Sequence, residues 1–490
     1  ANEREGRCGY IGVALAKMQR GNRVSTDAYD HTSQSPLAFT NFGEGSHVIV
    51  TGGQGFVGSH TVLRMLEEGF LVTVLDNGSN SHSEAMVRVK GLVSPMQAGN
   101  LFMHEVDLCD MTSLKATMMA VSQTKKIDAC VHLAGLKGIG ESARMPLKYH
   151  QNNLTATLNL LEMLEKHGCR QLVFSSSAAV YGSEAACPVT EEALLGENIP
   201  TPYGRSKFFI ERVLEDLYAS QHGKEWGIVI LRYFNPVGAH PSGRLGEDPN
   251  GPPNNLVPYV AQVAMGRREH LTVLGDDHET ADGTTVRDYV HVMDVAEGHL
   301  AGLSKLMSVG RGYLHYNLGA GKGTSVLELV HAMETASGLK VLVKVGKRRP
   351  GDPPSVYCDV QKASRELGWE PYRDAAQICK DTWRWFNANP NGYIKPDKEF
   401  GAFKQASFQK SSMPKLSSSS RESSRKPPPA PSAQHSDRVS RNSSNEMDQA
   451  IRGRGTSMDD VIEGTEEDDV DGHTAGDSSG PVDDGGAIDL

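Results

Sequence analysis

Short apolar runs alternate with helical patterns between residues 47 and 234. The runs are HVIV (47–50), LVTVLD (71–76), IDACVHLAG (127–135), RQLVFSSS (170–177) and GIVILRYF (227–234). Continuous apolar runs of this length are typical of strands that are buried on both faces. The clearest helical pattern between them, LTATLNLLEMLEKHG (154–168), ends on Gly168, and glycine commonly terminates helices. The alternation predicts an α/β fold of the Rossmann type, a doubly wound parallel sheet with helices on both faces.

Changes in composition divide the chain into four predicted segments. Residues 1–45 are rich in Ser, Thr, Asn and Gly without a helix or strand period, so we expect a disordered N-terminal extension. Residues 46–235 form the predicted Rossmann domain. Pro and Gly then become frequent, and residues 236–395 are predicted to form a smaller mixed α/β substrate-binding lobe. Residues 396–490 are predicted to be a disordered tail, Ser- and Pro-rich at first and then acidic, because no aromatic residue follows Phe408.

The formal net charge of −10 comes mainly from the tail. Residues 455–490 carry twelve acidic and no basic residues, whereas residues 410–454 carry an excess of five positive charges. The remaining 409 residues have a net charge of only −3. A nearly neutral body argues against a nucleic-acid or membrane surface, and no apolar run is long enough to predict a membrane span. The sequence identifies no partner for the tail.

The seven cysteines are odd in number and scattered, and no C-x-x-C occurs. This usage predicts reduced thiols, no metal site and a cytoplasmic location. The sequence begins with Ala1, so the prediction leaves open an organelle-targeting peptide that has been removed.

The segment TGGQGFVG (51–58) follows the first predicted strand and precedes the first predicted helix. It fits G-x-x-G-x-x-G through Gly52, Gly55 and Gly58, and such glycines let a turn approach a pyrophosphate at a helix N-terminus. Asp76 ends the second strand 18 residues after Gly58. A carboxylate at that position binds both ribose hydroxyls and repels a 2′-phosphate, so the segment predicts a dinucleotide site that prefers NAD to NADP.

A second glycine-rich segment, GAGKGTS (319–325), departs from the phosphate-binding loop that it suggests. That pattern requires Gly at position 316 and Ser or Thr after Lys322, where this chain has Tyr316 and Gly323. We therefore do not predict phosphate binding there.

Tyr203 and Lys207 stand four residues apart in PYGRSK (202–207), so a helix that begins there places both on one face. An ammonium stabilises a phenolate, which makes the pair a candidate acid–base catalyst. The structural alternative is a half-buried tyrosine followed by an unrelated surface lysine. Ser177 ends the fourth predicted strand, at the edge of the sheet where ligands bind, and could hydrogen-bond a hydroxyl that Tyr203 deprotonates. Downstream of a dinucleotide turn, the pattern favours catalysis.

These features together resemble the extended short-chain dehydrogenase/reductase superfamily. Longer segments are similar to the UDP-glucose 4-epimerase family in particular, over about residues 47–393: AGLKGIGES (134–142), FSSSAAVYG (174–182), LRYFNPVGAHPSG (231–243), PNNLVPYVAQVAMGRR (253–268), GTTVRDYVHVMD (283–294), YNLGAG (316–321) and RRPGD (348–352). The resemblance implies a tightly held NAD that oxidises C4 of UDP-galactose or UDP-glucose while Tyr203 takes the 4-hydroxyl proton. The 4-keto sugar then turns over and is reduced on its other face.

The resemblance also implies the roles of individual residues. Lys207 would hold the nicotinamide ribose and lower the pKa of Tyr203, and Ser177 would align the hydroxyl. The implied NAD contacts are Gly52, Gly55, Phe56, Val57, Gly58, Asp76, Asn77, Asp107, Leu108, Leu133, Ala134, Gly135, Lys137, Asn152, Tyr203, Lys207 and Tyr233. The implied UDP-sugar contacts are Ser177, Tyr203, Phe234, Asn235, Asn255, Leu256, Thr272, Leu274, Arg287, Arg349, Asp352 and Val356. Family members often pair through helices beside the sheet, so a homodimer is expected.

Some positions depart from the family pattern or sharpen it. Ala179 replaces a common threonine, which is expected to weaken a polar contact near the 4-hydroxyl, and Leu133 replaces a frequent Phe, which is expected to change packing. Leu274 replaces an aromatic that commonly packs near uracil, so nucleotide affinity is expected to be lower. Related nucleotide-sugar dehydratases carry Asp-Glu where this chain has Ala178 and Ala179, so elimination lacks its acid and base here. Family members restricted to the plain sugars often carry Tyr at the position of Val356, which predicts slow turnover of UDP-N-acetylglucosamine.

Two alternatives stay open at this point. One is an epimerase of UDP-xylose and UDP-arabinose on the same scaffold, although NPVGAHPSG and PNNLVPY resemble the glucose enzyme better. The other is a catalytically silent dinucleotide-binding regulator that acts through its tail. An intact Ser177, Tyr203 and Lys207 argues against it, because a binding module needs no phenolate.

Overall fold

The computed structural model describes residues 45–220, 222–249, 255–349 and 351–393 of the chain. The predicted N-terminal extension (except Gly45) and the predicted tail lie outside these ranges, so their disorder stays a prediction. Within the described ranges, no helix has the length and apolar character needed to cross a membrane. The same ranges hold no group of three or more His, Cys, Asp and Glu side chains placed to bind a metal ion.

Strands and helices alternate along most of the described chain. The strands are β1 (His47–Thr51), β2 (Leu71–Asp76), β3 (Leu101–Glu105), β4 (Ala129–His132), β5 (Gln171–Ser177), β6 (Gly227–Tyr233), β7 (Asn235–Val237), β8 (Leu271–Leu274), β9 (Val286–Arg287), β10 (Tyr289–His291), β11 (Gly312–Leu318), β12 (Thr324–Ser325), β13 (Val343–Gly346) and β14 (Ser355–Val356). The α-helices are α1 (Phe56–Glu67), α2 (Glu84–Lys90), α3 (Pro95–Gly99), α4 (Met111–Thr124), α5 (Ile139–Arg144), α6 (Pro146–Lys166), α7 (Pro202–Ala219), α8 (Leu256–Ala264), α9 (Val292–Val309), α10 (Val326–Ser337), α11 (Gln361–Leu367) and α12 (Ala375–Ala388). Short 3₁₀ helices span Ala178–Tyr181 and Gly223–Glu225.

A seven-stranded parallel sheet forms the centre of the fold, in the order β11-β6-β5-β4-β1-β2-β3. This confirms the predicted Rossmann-type α/β fold. The strand order reverses between β1 and β4, and ligands bind in open α/β sheets at the carboxyl ends of the strands beside such a reversal. The fold therefore places the glycine turn after β1 and Ser177 at the end of β5 at the same edge.

Helices cover both faces of the sheet because its central strands are apolar on both sides. In β1, Val48 and Val50 belong to one hydrophobic cluster together with Leu63 of α1, whereas Ile49 belongs to another together with Leu160 of α6. Successive side chains of a strand point to opposite faces, so one continuous apolar run supplies both interfaces.

The segment after residue 235 does not stay apart from the sheet. Helix α9 packs on α1, and β11 pairs in parallel with β6, so residues 292–318 complete the large sheet. The small sheets β10-β7, β12-β9-β14 and β13-β8, with α8, α10 and α12, form the remainder of this part of the chain. The predicted boundary at residue 235 stays a prediction, but the lobe that follows it is interrupted by helix α9 and strand β11.

Candidate active site

A cavity of about 580 Å³ opens at the carboxyl ends of the sheet strands. Most of the predicted site residues line it. On the NAD side these are Gly52, Gly55, Phe56, Val57, Gly58, Asp76, Asn77, Asp107, Leu108, Leu133, Ala134, Gly135, Lys137, Asn152, Lys207 and Tyr233. On the UDP-sugar side they are Ser177, Tyr203, Phe234, Asn235, Asn255, Arg287, Arg349, Asp352 and Val356.

Three predicted substrate residues do not line this cavity. Leu256 is the first residue of α8 and is buried, directly after the cavity residue Asn255. Thr272 and Leu274 lie on the short strand β8, which pairs with β13. The contact of these three side chains with the nucleotide stays a prediction.

The glycine turn has no room for larger residues. Gly52 adopts a left-handed backbone conformation with φ +67°, which favours glycine. A Cβ atom on Gly58 would lie 2.2 Å from the carbonyl oxygen of Gly52. Helix α1 begins at Phe56, and the preceding residue, Gly55, supplies no side-chain cap to its first turn. The turn thus brings the N-terminus of a helix to the cavity, where an anion is stabilised.

Asp76 at the end of β2 organises the adjacent loops through its carboxylate. One carboxylate oxygen accepts the backbone N–H of Gln54 at 2.9 Å. The other accepts the N–H of Gly78 and the hydroxyl of Ser81, both at 2.9 Å. The carboxylate is therefore fixed in direction before any ligand arrives.

Tyr203 and Lys207 lie on the first two turns of α7, where Thr201 caps the helix by accepting the N–H of Gly204. Both side chains line the cavity with Ser177, so the predicted spacing brings the three groups together. Lys207 is buried, and its Nζ donates to the carbonyl oxygen of Ser175 at 2.7 Å. The hydroxyl of Ser175 also contacts that of Tyr233, and both residues line the cavity.

Burial controls the protonation of these groups. It raises the pKa of Tyr203 above its ordinary value, while the Ser177 hydroxyl and the Lys137 ammonium act in the opposite direction. Burial lowers the pKa of Lys207 to about 8, against the effect of the Glu211 carboxylate. The cation that lowers the pKa of Tyr203 in this structure is Lys137, and the predicted effect of Lys207 stays a prediction.

A buried ion pair that the sequence analysis missed lies behind the lysine. Glu211, one helical turn after Lys207, accepts from Arg232 of β6 through both carboxylate oxygens at 2.8–3.2 Å, and from the Ser176 hydroxyl at 2.5 Å. Both charged side chains are almost completely buried. The pair ties α7 to β6, and the Ser176 hydrogen bond ties α7 to β5, so the two elements that carry the three central groups are fixed to each other.

The polar side chains of the substrate wall are already paired within the chain. Arg287 forms an ion pair with Asp352, and both are only 8% exposed. Glu247, a second residue that the sequence analysis missed, accepts from Lys137 Nζ and from Asn255 Nδ2, each at 3.0 Å. It therefore bridges a predicted cofactor contact and a predicted sugar contact. A ligand must compete with these bonds or fit between them.

Comparison with known proteins identifies the family of this chain. The family model described as GDP-mannose 4,6 dehydratase matches residues 49–382. UDP-glucose 4-epimerase 2 of Arabidopsis thaliana is 52% identical over 347 residues, which are 71% of this chain and 96% of the relative. The Arabidopsis thaliana protein named bifunctional UDP-glucose 4-epimerase and UDP-xylose 4-epimerase 3 is 48% identical over 350 residues, 71% of this chain and 97% of the relative. The chain belongs to the UDP-glucose 4-epimerase family.

A solved structure of the family agrees with this membership. The crystal structure of UDP-glucose 4-epimerase from Bifidobacterium longum in complex with NAD+ and UDP superposes with a TM-score of 0.65 at 42% identity. The match covers 71% of this chain and 100% of that one. Membership of the UDP-glucose 4-epimerase family confirms the resemblance that the sequence motifs suggested.

The end of β5 is where the sequence analysis expected a difference from the dehydratases. Ala178 and Ala179, where those enzymes were expected to carry Asp and Glu, open the 3₁₀ helix directly after Ser177, and both line the cavity. Alanine offers neither acid nor base. The position next to the catalytic candidates is therefore chemically inert in this member of the UDP-glucose 4-epimerase family.

Proposed function

We propose that this protein is a UDP-glucose 4-epimerase, which interconverts UDP-galactose and UDP-glucose with NAD bound in the cavity. The observation that carries the proposal is that one cavity is lined by Tyr203, Lys207 and Ser177, by the glycine turn, and by Arg287 and Arg349. Acid–base groups, a helix N-terminus and guanidinium groups are the three kinds of partner that such a substrate and cofactor need.

The residues of the turn fit NAD. A Cβ atom on Gly52 or Gly58 would collide with backbone atoms, so the tight turn that lines the cavity requires glycine at both positions. The backbone N–H groups in the first turn of α1 would hold the pyrophosphate, and Asp76 the adenosine ribose hydroxyls. NAD supplies the two-electron oxidation and re-reduction of the sugar C4 atom.

The protein's own part in the reaction is the movement of one proton. Tyr203 as phenolate would take the proton of the sugar 4-hydroxyl and later return it to the same oxygen. The Ser177 hydroxyl would orient that hydroxyl, and the nearby cations Lys137 and Lys207 would favour the phenolate. Burial raises the pKa of Tyr203, so these cations have to offset the cost of a buried anion. Because Ala178 and Ala179 carry no carboxylate, nothing there promotes loss of water once C4 is oxidised.

Phosphate and uridine recognition would lie on the opposite wall. Arg287 and Arg349 would pair with the diphosphate, since a planar guanidinium binds phosphate oxygens at two points. Asp352 would accept the uridine ribose hydroxyls, and Asn235 and Asn255 would contact the sugar side.

An activity assay with a matched tyrosine control tests the proposal. Purified protein is given UDP-galactose, and the UDP-glucose formed is detected by a coupled assay. The NAD bound to the protein is measured in the same preparation. Tyr203→Phe should reduce kcat about 10²–10⁴-fold, the usual size of an acid–base contribution, while NAD stays bound. Tyr313→Phe removes a hydroxyl that only contacts the Glu211 backbone, so it should keep activity. Wild type as inactive as Tyr203→Phe, with NAD bound, would favour a silent dinucleotide-binding regulator instead.

Two further substrates are tested in the same assay. The relative that carries UDP-xylose 4-epimerase in its name supports UDP-xylose as a second candidate. Val356 lines the cavity and leaves more space than a tyrosine, which supports slow turnover of UDP-N-acetylglucosamine. Absence of turnover for either sugar, in a preparation active on UDP-galactose, removes that candidate.

A homodimer is proposed through the outer face of α6 and α7. Three large apolar side chains are exposed on these neighbouring helices: Leu147 (74%), Leu158 (50%) and Phe209 (42%). Several exposed apolar side chains together are typical of an interaction surface. Phe209→Glu should then shift the sedimentation coefficient to that of a monomer. A wild-type protein that sediments as a monomer at micromolar concentration contradicts the proposal.

A further inference from the structure

Asp288 is a buried acid that the proposed chemistry does not use. It joins β9 to β10, between Arg287 and Tyr289, and is completely inaccessible to solvent. Burying a carboxylate is unfavourable unless hydrogen-bond donors surround it. Such donors do surround Asp288, and they come from two distant segments.

The glycine segment after β11 supplies the first of these donors. The N–H groups of Ala320 and Gly321 donate to the two carboxylate oxygens, one to each. A Cβ atom on Gly319 would lie 2.5 Å from Asp288 Oδ2 and 2.4 Å from Cys358 Sγ, so only glycine fits against the carboxylate. The segment that resembled a phosphate loop therefore encloses an internal anion.

The second set of donors comes from the segment after β14. The backbone N–H of Cys358 donates to Asp288 Oδ2 at 3.2 Å, and the Cys358 thiol donates to the same oxygen at 3.4 Å. One side chain thus fastens loop 319–321 and Cys358 to the junction of β9 and β10.

The backbone of Asp288 reaches the cavity wall directly. Its carbonyl oxygen accepts the N–H of Asn235 at 3.1 Å and Asn235 Nδ2 at 3.0 Å. Its own N–H donates to the carbonyl oxygen of Val356 at 3.1 Å. Asn235, Val356 and the adjacent Arg287 all line the cavity, so the position of Asp288 sets the positions of three of its residues.

We propose that Asp288 is a positioning residue for substrate, whose ionised carboxylate holds loop 319–321 and Cys358 in place and thereby sets Asn235, Arg287 and Val356. This role rests on the proposed function, which assigns those three residues to the UDP-sugar. It predicts control of substrate affinity rather than of the proton transfer, because Tyr203, Lys207 and Ser177 belong to β5 and α7.

Protonation should weaken this arrangement. Burial raises the pKa of Asp288 to about 6, although the surrounding N–H donors act in the opposite direction. A protonated carboxyl group would turn an O–H toward donors and lose an acceptor. Because the pKa is raised, about half of the carboxyl groups are protonated at pH 6, and affinity for substrate is expected to fall as the pH drops through that value.

The charged and titratable groups around Asp288 have to be distinguished from it. Burial raises the pKa of Cys358 well above its ordinary value, so the thiol stays neutral in this range. Arg287 on β9 is paired with Asp352. Glu191 acts on Cys358, and burial raises its pKa also, so its contribution has to be separated by mutation.

The test compares two buried acids in the full-length NAD-bound protein. Asp288→Asn keeps the shape but places an amide beside N–H donors. Its KM for UDP-galactose at pH 7.5 should rise about tenfold, as for one lost charge-assisted hydrogen bond, with kcat changed much less. Its kcat/KM should also lose the decline between pH 7 and pH 5.5 that is expected of the wild type. Asp294→Asn is the control, because Asp294 is equally inaccessible but pairs with Arg373 away from the cavity lining.

Calorimetric measurement of UDP binding distinguishes failure of the proposed function from failure of the inference about Asp288. A wild type that is inactive on UDP-galactose contradicts the proposed function, whereas the pH dependence of UDP affinity still tests Asp288. An active wild type with unchanged KM and pH profile in Asp288→Asn overturns the inference. If Asp288→Asn does not fold, Gly319→Ala displaces the same contact without changing a charge. It should raise KM several-fold while the decline near pH 6 remains, and an unchanged KM would also overturn the inference.

Discussion

Two glycine-rich turns follow strands of the same sheet, TGGQGFVG (51–58) after β1 and GAGKGTS (319–325) after β11. Each precedes a helix, α1 in the first case and α10 in the second. Both therefore have the composition and the setting of an anion site. They differ in what the rest of the chain offers to their backbone donors.

The backbone N–H groups of the second turn have hydrogen-bond acceptors within the chain. Asp288 accepts the N–H groups of Ala320 and Gly321, and Ser325 caps α10 in a capping box with Glu328. At the first turn, the residue before α1 is Gly55, which offers no side-chain cap, and the turn lines the cavity. The comparison shows that a glycine turn becomes a ligand site when the chain leaves its helix N-terminus open, and a structural joint when an internal carboxylate takes the same place.

Substitution of Gly58 by alanine in the first turn should give the largest effect, which is a loss of bound NAD. The added Cβ would lie 2.2 Å from the Gly52 carbonyl oxygen and 2.8 Å from Gly53 Cα, so the turn has to open. We expect the NAD content of the purified protein to fall about tenfold or more, because about 1.4 kcal/mol of strain in the bound turn is sufficient. Absorbance and enzymatic assay of released cofactor measure it.

Gly99→Ala is the matched control for that experiment. Gly99 lies in α3 with no atom within 4 Å of its Cβ position, so alanine fits there. Full NAD content in Gly58→Ala would show that the first turn tolerates a side chain, and it would remove the distinction between the two turns.

The sequence was sufficient for the features that depend on local pattern. Each of the five apolar runs became a strand of the large sheet, because a strand buried on both faces is continuously apolar. The spacing of Tyr203 and Lys207 placed both at the cavity, since a helix, α7, does begin at PYGRSK. Ser177 followed in the same way from the end of β5.

Other features depend on partners that are distant in sequence. Strand β3 was missed because it is an edge strand, with Phe102 and Met103 43% and 36% exposed, and lacks a buried apolar run. Strand β11 pairs with β6, and each residue pairs with one 85 positions earlier, so nothing local indicates its place. The pairing of Glu247 with Lys137, 110 residues away, has no periodic signal at all.

A smaller and purely structural effect is expected at Ser325. Its hydroxyl accepts the N–H of Glu328 at 3.0 Å, and the Glu328 carboxylate accepts the N–H of Ser325 at 2.7 Å. Ser325→Ala should lower the free energy of unfolding by about 1 kcal/mol, the usual value of an N-cap, without loss of NAD. Urea unfolding measures the change. Ser94→Ala removes the corresponding serine of the capping box at α3 and should behave alike. Loss of NAD from Ser325→Ala alone would mean that the second turn supports the cofactor site.

The smallest effect is expected at Lys322, the residue that would contact the phosphate if the second turn bound one. In a phosphate-binding loop the lysine contacts the phosphates, so its removal abolishes binding. Here Lys322 is exposed and is not among the residues that line the cavity, while the adjacent amides donate to Asp288. Lys322→Ala should therefore leave kcat/KM for UDP-galactose within about twofold and stability within about 0.5 kcal/mol, as for an ordinary surface substitution. Lys137→Ala provides the contrast, because Lys137 lines the cavity, pairs with Glu247 and lowers the pKa of Tyr203. If Lys322→Ala raises KM as much as Lys137→Ala does, the second turn binds an anionic group of the substrate. The turn is then a ligand site and not only a structural joint held by Asp288.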